Sequence, residues 1–484
     1  MLQDGTHYNG RLIEKVFVKL FVNPFQLALD QNTVEYKNYV KRLLPSITDK
    51  NLTAKINKKT MYLEALYYEM VLQNSVITPI VTQGVCPFFP VAYSAGYNCL
   101  YTDVQALTST LQPQIIMNTL LQDVDHPQMT ARLKDAPILT PILSKLTYCM
   151  LVSEYINGVS LHDWMLQKNI CRSGTTTTTH MPDFWVIMFQ VAIACHVMEL
   201  ANVSHNDLHS KNVLIVEHPT PVKYCFHFPG NKVLKESYYR FSSRYEAKVF
   251  DFDRSNFSQY VNPLLQSNTN PFSTVVTYSR APWKSKDFFK LVVNIANRVY
   301  RGKYDVGFIN EGLLYIVSSP ESHNEIINMY KASPQLQRVF YKKRSSTFVA
   351  QSVEKPFFDK LFSMSRIINE LSIQANIQVS TQAPGVQEFV YVVDPRFFVN
   401  SRVITHQVYE TLNHMNLELA EQIYNEAHVK EETKAVTEQL SSETVHTHFI
   451  KLELAQQQYD LSQMSTSNSN KVLFTVTKRL QDLL

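Results

Sequence analysis

Glycine is scarce in this sequence, with 11 in 484 residues, against roughly 7% in an average protein. That scarcity excludes collagen-like repeats and flexible glycine linkers. It leaves only Gly5 and Gly10 near the start as material for a glycine-rich turn. Paired cysteines are also missing. The six are Cys86, Cys99, Cys149, Cys171, Cys195 and Cys225, and none forms a Cys-x-x-Cys pair, so a zinc ribbon is excluded. Scattered cysteines in a long chain are expected to be reduced, buried thiols of an intracellular, non-secreted protein. Neither charge dominates: 46 Lys+Arg against 42 Asp+Glu give +4, which argues against a dedicated nucleic-acid binder. The start, Met1 to Gly5, has neither a basic cluster nor an apolar run, so no signal peptide is expected. The most apolar stretch, Phe184 to Leu200, is interrupted by Gln190, His196 and Glu199. It reads as a buried helix and not as a membrane span.

What is present is a folding chain. Hydrophobic residues make up 45% and aromatics 12%, which excludes global disorder, and the length implies about two to four domains. Arg11 to Phe21 alternates and is rich in β-branched and aromatic residues, the signature of a strand. Met61 to Val76 carries Leu63, Leu66, Tyr67 and Met70 at helical spacing. Cys149 to Tyr155 is a short apolar strand running into the turn Ile156-Asn157-Gly158, and Ser160 caps a short helix with Leu161 and Trp164. Phe184 to Ala201 is the strongest helix pattern in the chain. No fixed-period repeat is visible. Beyond about Val399 the composition turns helix-forming and acidic, then polar at Met464 to Asn470.

The chemistry concentrates in two segments. His205-Asn206-Asp207-Leu208-His209-Ser210-Lys211-Asn212 follows the long helix and runs into the strand Val213 to Val216. Farther on, the apolar strand Lys248-Val249-Phe250 ends in Asp251-Phe252-Asp253. Phosphoryl transfer asks a protein for positioning and charge neutralisation. One carboxylate accepts the hydroxyl proton, while an amide oxygen and a second carboxylate hold Mg²⁺, which prefers hard oxygen ligands. Asp207, Asn212 and Asp251 supply that set. Asp and Asn in a polar turn are common turn formers on their own; it is the order of helix, loop, strand and strand-borne acid that carries the reading. A zinc site on His205 and His209 lacks a third ligand at any expected spacing.

These two segments resemble the protein-kinase-like superfamily, whose catalytic loop reads His-Arg-Asp…Asn and whose metal motif reads Asp-Phe-Gly. They are most similar to protein kinases of nucleocytoplasmic large DNA viruses, which write His-x-Asp-Leu-His-x-x-Asn and Asp-Phe-Asp followed by Arg-Ser, here Arg254-Ser255. The resemblance implies an α+β, two-lobed fold. Residues 1–155 would form a β-rich N-lobe with an insertion at about 22–60. Residues 156–400 would form a mainly helical C-lobe with a β-rich insertion at about 217–246, and 401–484 a helical extension. It also implies ATP and Mg²⁺ as cofactors, a protein substrate phosphorylated on Ser or Thr, and a place in the host cytoplasm or a virion. Asp207 would be the catalytic base, Asn212 and Asp251 the metal ligands, and His205 a structural brace. Glu154 and Ile156 would meet adenine through their backbones, with Ser153 as gatekeeper. Asp287 looks like the acid that steadies the catalytic loop. Lys19, among Phe17, Val18, Leu20 and Phe21 as in a strand covered on both faces, is the expected phosphate-gripping lysine, with Glu64 as its helix partner. Lys55 and Glu69 are their rivals.

The sequence departs from the family at several points. A glycine-rich lid would have to be built from Gly5 and Gly10. His209 stands where a lysine is usual, leaving Lys211 to supply the charge. Asp253 replaces the flexible glycine, a position that Asp can fill with left-handed backbone. No Ala-Pro-Glu closes the activation segment, where Ala281-Pro282-Trp283 is at best a remnant. Two other functions remain open on the sequence. Small-molecule kinases of the aminoglycoside or choline type use a similar loop, and a pseudokinase scaffold would explain the poor lid.

Overall fold

The computed structural model describes residues 15–23, 65–100, 147–170, 179–230, 236–257, 285–301, 360–383 and 389–398, with short pieces at 7–8, 11–12, 102, 315–319 and 322. The expected insertion at 22–60, the extension 401–484, Lys55, Glu64 and Ala281-Pro282-Trp283 lie outside the described residues, apart from Val22 and Asn23. The chain divides into two compact units. One comprises Met1–Ser75, Ala92–Glu154 and Val403–Leu484; the other comprises Val76–Val91 and Tyr155–Arg402.

In the first unit the expected strand from Arg11 is broken. Its start pairs locally, β1 (His7–Tyr8) with β2 (Arg11–Leu12), and the main strand β3 runs over Val16–Val22. A helix over 65–72, α1, follows in sequence, then β4 (Ala92–Cys99) and β5 (Tyr148–Glu154). These make an antiparallel sheet in the order β3-β5-β4, with Lys19 opposite Leu151 and Ala95 opposite the same Leu151. Strand side chains alternate between faces, so Lys19 shares a face with Phe21. Phe21 is buried, whereas Phe17 and Val18 are 53% and 40% exposed. The expectation that β3 is covered on both faces therefore fails at its N-terminal half. At Asn23 the strand is finished by its side-chain amide, which donates to the Tyr97 carbonyl at 3.1 Å.

The second unit is organised by one long ribbon. Strands β8 (Val213–Phe228) and β9 (Ser237–Val249) pair from Val213↔Val249 to Phe228↔Ser237, with a bulge between Glu217 and Val222. The short β6 (Val159–Ser160) pairs with the start of β8; β11 (Gln378–Ser380) and β12 (Tyr391–Val392) line the two outer edges. Aromatic residues at alternate positions face one core: Phe226 stacks on Phe241 and Tyr391, and Phe88 packs against Tyr224 and Phe226. Between Val76 and Val91, α2 (Thr78–Thr82) leads into the segment that carries Phe88. Helix α3 (Leu161–Gln167) is capped by Ser160 as the sequence predicts.

Helix α4 (Met181–Leu200) is long and apolar enough to cross a membrane, yet most of its side chains are buried within this unit. Its polar interruption explains why. Gln190 is fully buried, its amide nitrogen donating to Tyr245 O at 2.8 Å and its oxygen accepting from Ala247 N at 2.7 Å. A side chain thus satisfies the backbone of β9 at the bulge, where an unpaired buried group would cost about 1–3 kcal/mol. Two further helices, α5 (Lys286–Arg301) and α6 (Met364–Gln374), pack against α4.

Candidate functional site

Two antiparallel ladders bring the two chemically rich loops together. Strand β7 (Val203–Ser204) pairs with β10 (Asn256–Phe257), and β8 pairs with β9. The loop 205–212 runs from β7 to β8 and the loop 250–255 from β9 to β10. Both loops are therefore pinned side by side at each end. Phe250 N donates to Asn212 O at 3.2 Å and Ser255 Oγ to His205 O at 3.4 Å, closing the pair.

His205 is the brace that its position implied. It is fully buried, one ring nitrogen lies 2.9 Å from Phe250 O, and the ring packs on Phe252 at 5.1 Å. Its other nitrogen accepts from Asp207 N at 3.4 Å. With both nitrogens engaged inside the fold, His205 has none to offer a metal, which disposes of the zinc reading. Asn212 donates through its side-chain amide nitrogen to Asp207 O at 3.1 Å. That bond fixes the amide so that its remaining polar atom is an oxygen. Together with the Asp251 carboxylate it gives two hard donors, the kind of set with which Mg²⁺ is shared between protein and phosphates.

Asp207 is nearly buried and surrounded by cations. Arg254 Nη1 lies 2.7 Å from one carboxylate oxygen and Lys290 Nζ 3.5 Å from the other. Strain is concentrated here as well. Asn206 has φ 62° and Asp251 φ 72°, the left-handed region that non-glycine residues rarely occupy. The sequence pointed to Asp253 for that conformation, but Asp253 is not among the left-handed residues. The bend falls on Asp251 itself, at the end of β9, and so sets the direction of its carboxylate-bearing backbone.

Helix α5 anchors the loop from below. Asp287 in its first turn accepts from His205 N at 2.7 Å and Asn206 N at 2.9 Å, one bond to each carboxylate oxygen. Lys286 Nζ donates to Asn206 Oδ1 at 2.9 Å, Lys290 to the Asn206 carbonyl, and Ser210 N donates to Asn294 Oδ1 at 3.1 Å. Lys286, Lys290 and Asn294 recur at helical spacing, so one face of α5 addresses the loop from Asn206 to Ser210. Burial pushes the Lys290 ammonium below the ordinary lysine range, while the neighbouring carboxylates of Asp207 and Asp287 oppose that shift. The sequence reading assigned Asp287 to this duty but overlooked Lys286, Lys290 and Asn294. Their signal was polar residues at steps of four, Lys286, Lys290 and Asn294, along one face of the helix.

In the first unit, Lys19 Nζ is paired with Glu69 of α1, whose side chain is 8% exposed. Glu69, the rival in the sequence reading, is thus the described partner of Lys19; Glu64 falls outside the described residues. Glu154 ends β5 opposite Val16, and the boundary between the units falls directly after it. Ile156 lies in the following turn, where its carbonyl accepts from Gly158 N at 3.0 Å. Ser153, between Phe17 and Ala92 on the neighbouring strands, is buried.

Residues 118–244 match the family model for protein tyrosine and serine/threonine kinase. The match spans about a quarter of the chain. It includes Glu154, Ile156, Asp207 and Asn212 and stops before Asp251. Over that stretch the chain is similar to a kinase domain, and its mixed helix and strand content fits an α+β kinase-like fold. No curated protein matches the chain.

Proposed function

We propose that this kinase-like chain is an ATP- and Mg²⁺-dependent protein kinase acting on Ser or Thr. The observation that carries the reading is the geometry around Asp207. The Asp207 carboxylate sits on a strained, buried loop whose Asp207 backbone carbonyl accepts from the Asn212 side-chain amide, and that loop runs beside the one bearing Asp251. A turn-forming Asp and Asn would need none of that anchoring by His205 and Asp287.

Asp207 takes the proton of the acceptor hydroxyl as its oxygen bonds to the γ-phosphorus and the bond from that phosphorus to the bridging oxygen breaks, releasing ADP. Asn212 and Asp251 would hold Mg²⁺ through their side-chain oxygens, and the metal would supply neutralisation of phosphate charge. Lys19, held by Glu69, binds phosphate oxygens, and the backbones of Glu154 and Ile156 receive the adenine. The pattern Asp253-Arg254-Ser255 after the metal position, similar to kinases of large DNA viruses, supports protein substrates and a place in infected cells or virions. The buried free thiols Cys86, Cys99, Cys149, Cys195 and Cys225 suit a reducing compartment.

The test is a transfer assay with γ-labelled ATP and Mg²⁺ on the full chain, offering casein-like proteins and amino alcohols in parallel, followed by phosphoamino-acid analysis. Label on Ser or Thr of protein is the expected result. Label on the amino alcohols alone would make it a small-molecule kinase. No label on any acceptor and no Mg²⁺-dependent nucleotide stabilisation would make it a scaffold.

A further inference from the structure

Position 209, two residues after Asp207, is where the resemblance expects a lysine, and the chain has His209. Its Nε2 lies 3.9 Å from Asp207 and is charged only when protonated. Lys211 does not replace it: its side chain is exposed and its backbone N–H is bonded to His209 Nδ1 at 3.2 Å. The positive charge comes from elsewhere in the fold. Arg254 reaches one oxygen of Asp207 from the loop that also bears Asp251, and Lys290 reaches the other from α5.

We propose that Arg254 and Lys290 are positioning residues for phosphoryl transfer, together fixing the Asp207 carboxylate and supplying the positive charge that position 209 does not. This rests on the phosphotransferase reading above. Lys290 is 8% exposed, and a lysine so buried is kept in a fold only where partners compensate its desolvation. Those partners are the Asn206 carbonyl and the Asp207 carboxylate. Arg254 is tied to both loops. Its guanidinium meets Asp207, while its carbonyl accepts from Asn206 Nδ2 at 3.2 Å. Since Arg254 follows Asp251 on one short loop, any displacement of the metal-holding loop is transmitted to the rotation of Asp207. Base and metal position are thereby coupled through one side chain.

The experiment compares the full chain with Arg254→Ala, Arg254→Lys and Lys211→Met in steady-state transfer to an accepted protein substrate. Arg254→Ala is expected to lose about 10²-fold in kcat, the order associated with a misplaced catalytic group, with KM for ATP little changed. Arg254→Lys is expected to restore most of that loss, because it returns the charge. Lys211→Met is expected to retain the wild-type rate. Wild-type kcat in Arg254→Ala, or loss of kcat in Lys211→Met, overturns the proposal. A double-mutant cycle in urea unfolding, pairing Asp207→Ala with Arg254→Ala and then with Lys290→Gln, reads the clamp without any catalysis. Non-additive stability losses in both pairs support it, and additive losses overturn it. Wild-type chain that transfers phosphate to no acceptor contradicts the kinase reading, and the cycle then decides the clamp alone.

Discussion

Lys19 and Glu69, fifty residues apart in sequence, meet as an ion pair inside the N-terminal unit. The lysine comes from the middle of β3 and the carboxylate from α1, so the pair ties helix to sheet. Electrostatic groups in a water-poor site are worth several kcal/mol in a transition state, and the same charge at a surface is screened. Lys19→Met is therefore expected to cut transfer sharply, and Glu69→Gln to cut it less. Lys55→Met should leave the rate within a few-fold. A dead Lys55 variant beside an active Lys19 variant, measured in one assay, would transfer the role to Lys55.

Asp251 carries the metal role in this account. Asp251→Ala should bind nucleotide equally with and without Mg²⁺, whereas the wild type should bind it more tightly with the metal. Calorimetric titration of ATP in both conditions checks this. Metal-independent affinity in the wild type would remove Asp251 from the role.

Asp287 accepts two buried backbone N–H groups, those of His205 and Asn206. Asp287→Ala leaves both unsatisfied, at about 1–3 kcal/mol each, and also strips Lys290 of a neighbouring negative charge. Denaturant unfolding should show a loss of about 2–6 kcal/mol on the same basis. Asp287→Asn should lose less, since its amide oxygen still accepts. Equal stability of wild type and the alanine variant would show that the loop holds itself.

His196, on the buried α4, stacks against Phe228 at 5.8 Å, and its Nδ1 has no hydrogen-bond partner among the described residues. Burial pulls its pKa down to about 4. The unfolded chain, with histidine near 6.5, binds the proton first as pH falls. Stability contributed by neutral His196 is thus full above about 6.5 and lost as pH drops through about 4. His196→Phe should flatten the stability profile across that window in urea titrations at several pH values. An unchanged acid limb would place the sensitivity elsewhere.

Local elements were legible where one sequence signal governs them. The later part of the strand expected over Arg11 to Phe21, the Ser160 cap and the α4 helix follow from periodicity and capping chemistry. Tertiary partners were not legible. Glu64 and Glu69 both sit on one expected helix, and no local rule says which carboxylate meets a lysine from a distant strand. Arg254 was visible as part of a motif, but its contact with Asp207 depends on the β7–β10 ladder, which the sequence does not announce. Left-handed backbone at Asp251 likewise arises from two loops being pinned together, whereas composition favoured Asp253. The family resemblance supplied Asp207, Asn212 and Asp251 as the proposed base and metal ligands; the cations around Asp207 emerged only from packing.

The most direct measurement is single-turnover transfer by Asp207→Asn at saturating ATP and Mg²⁺, beside its nucleotide affinity. The substitution preserves size and keeps an acceptor for Arg254, but removes the group that takes the hydroxyl proton. Loss of a general base costs about 10²–10⁴-fold in rate. The account predicts a loss in that range with ATP affinity unchanged, and an unchanged transfer rate in Asp207→Asn would contradict it.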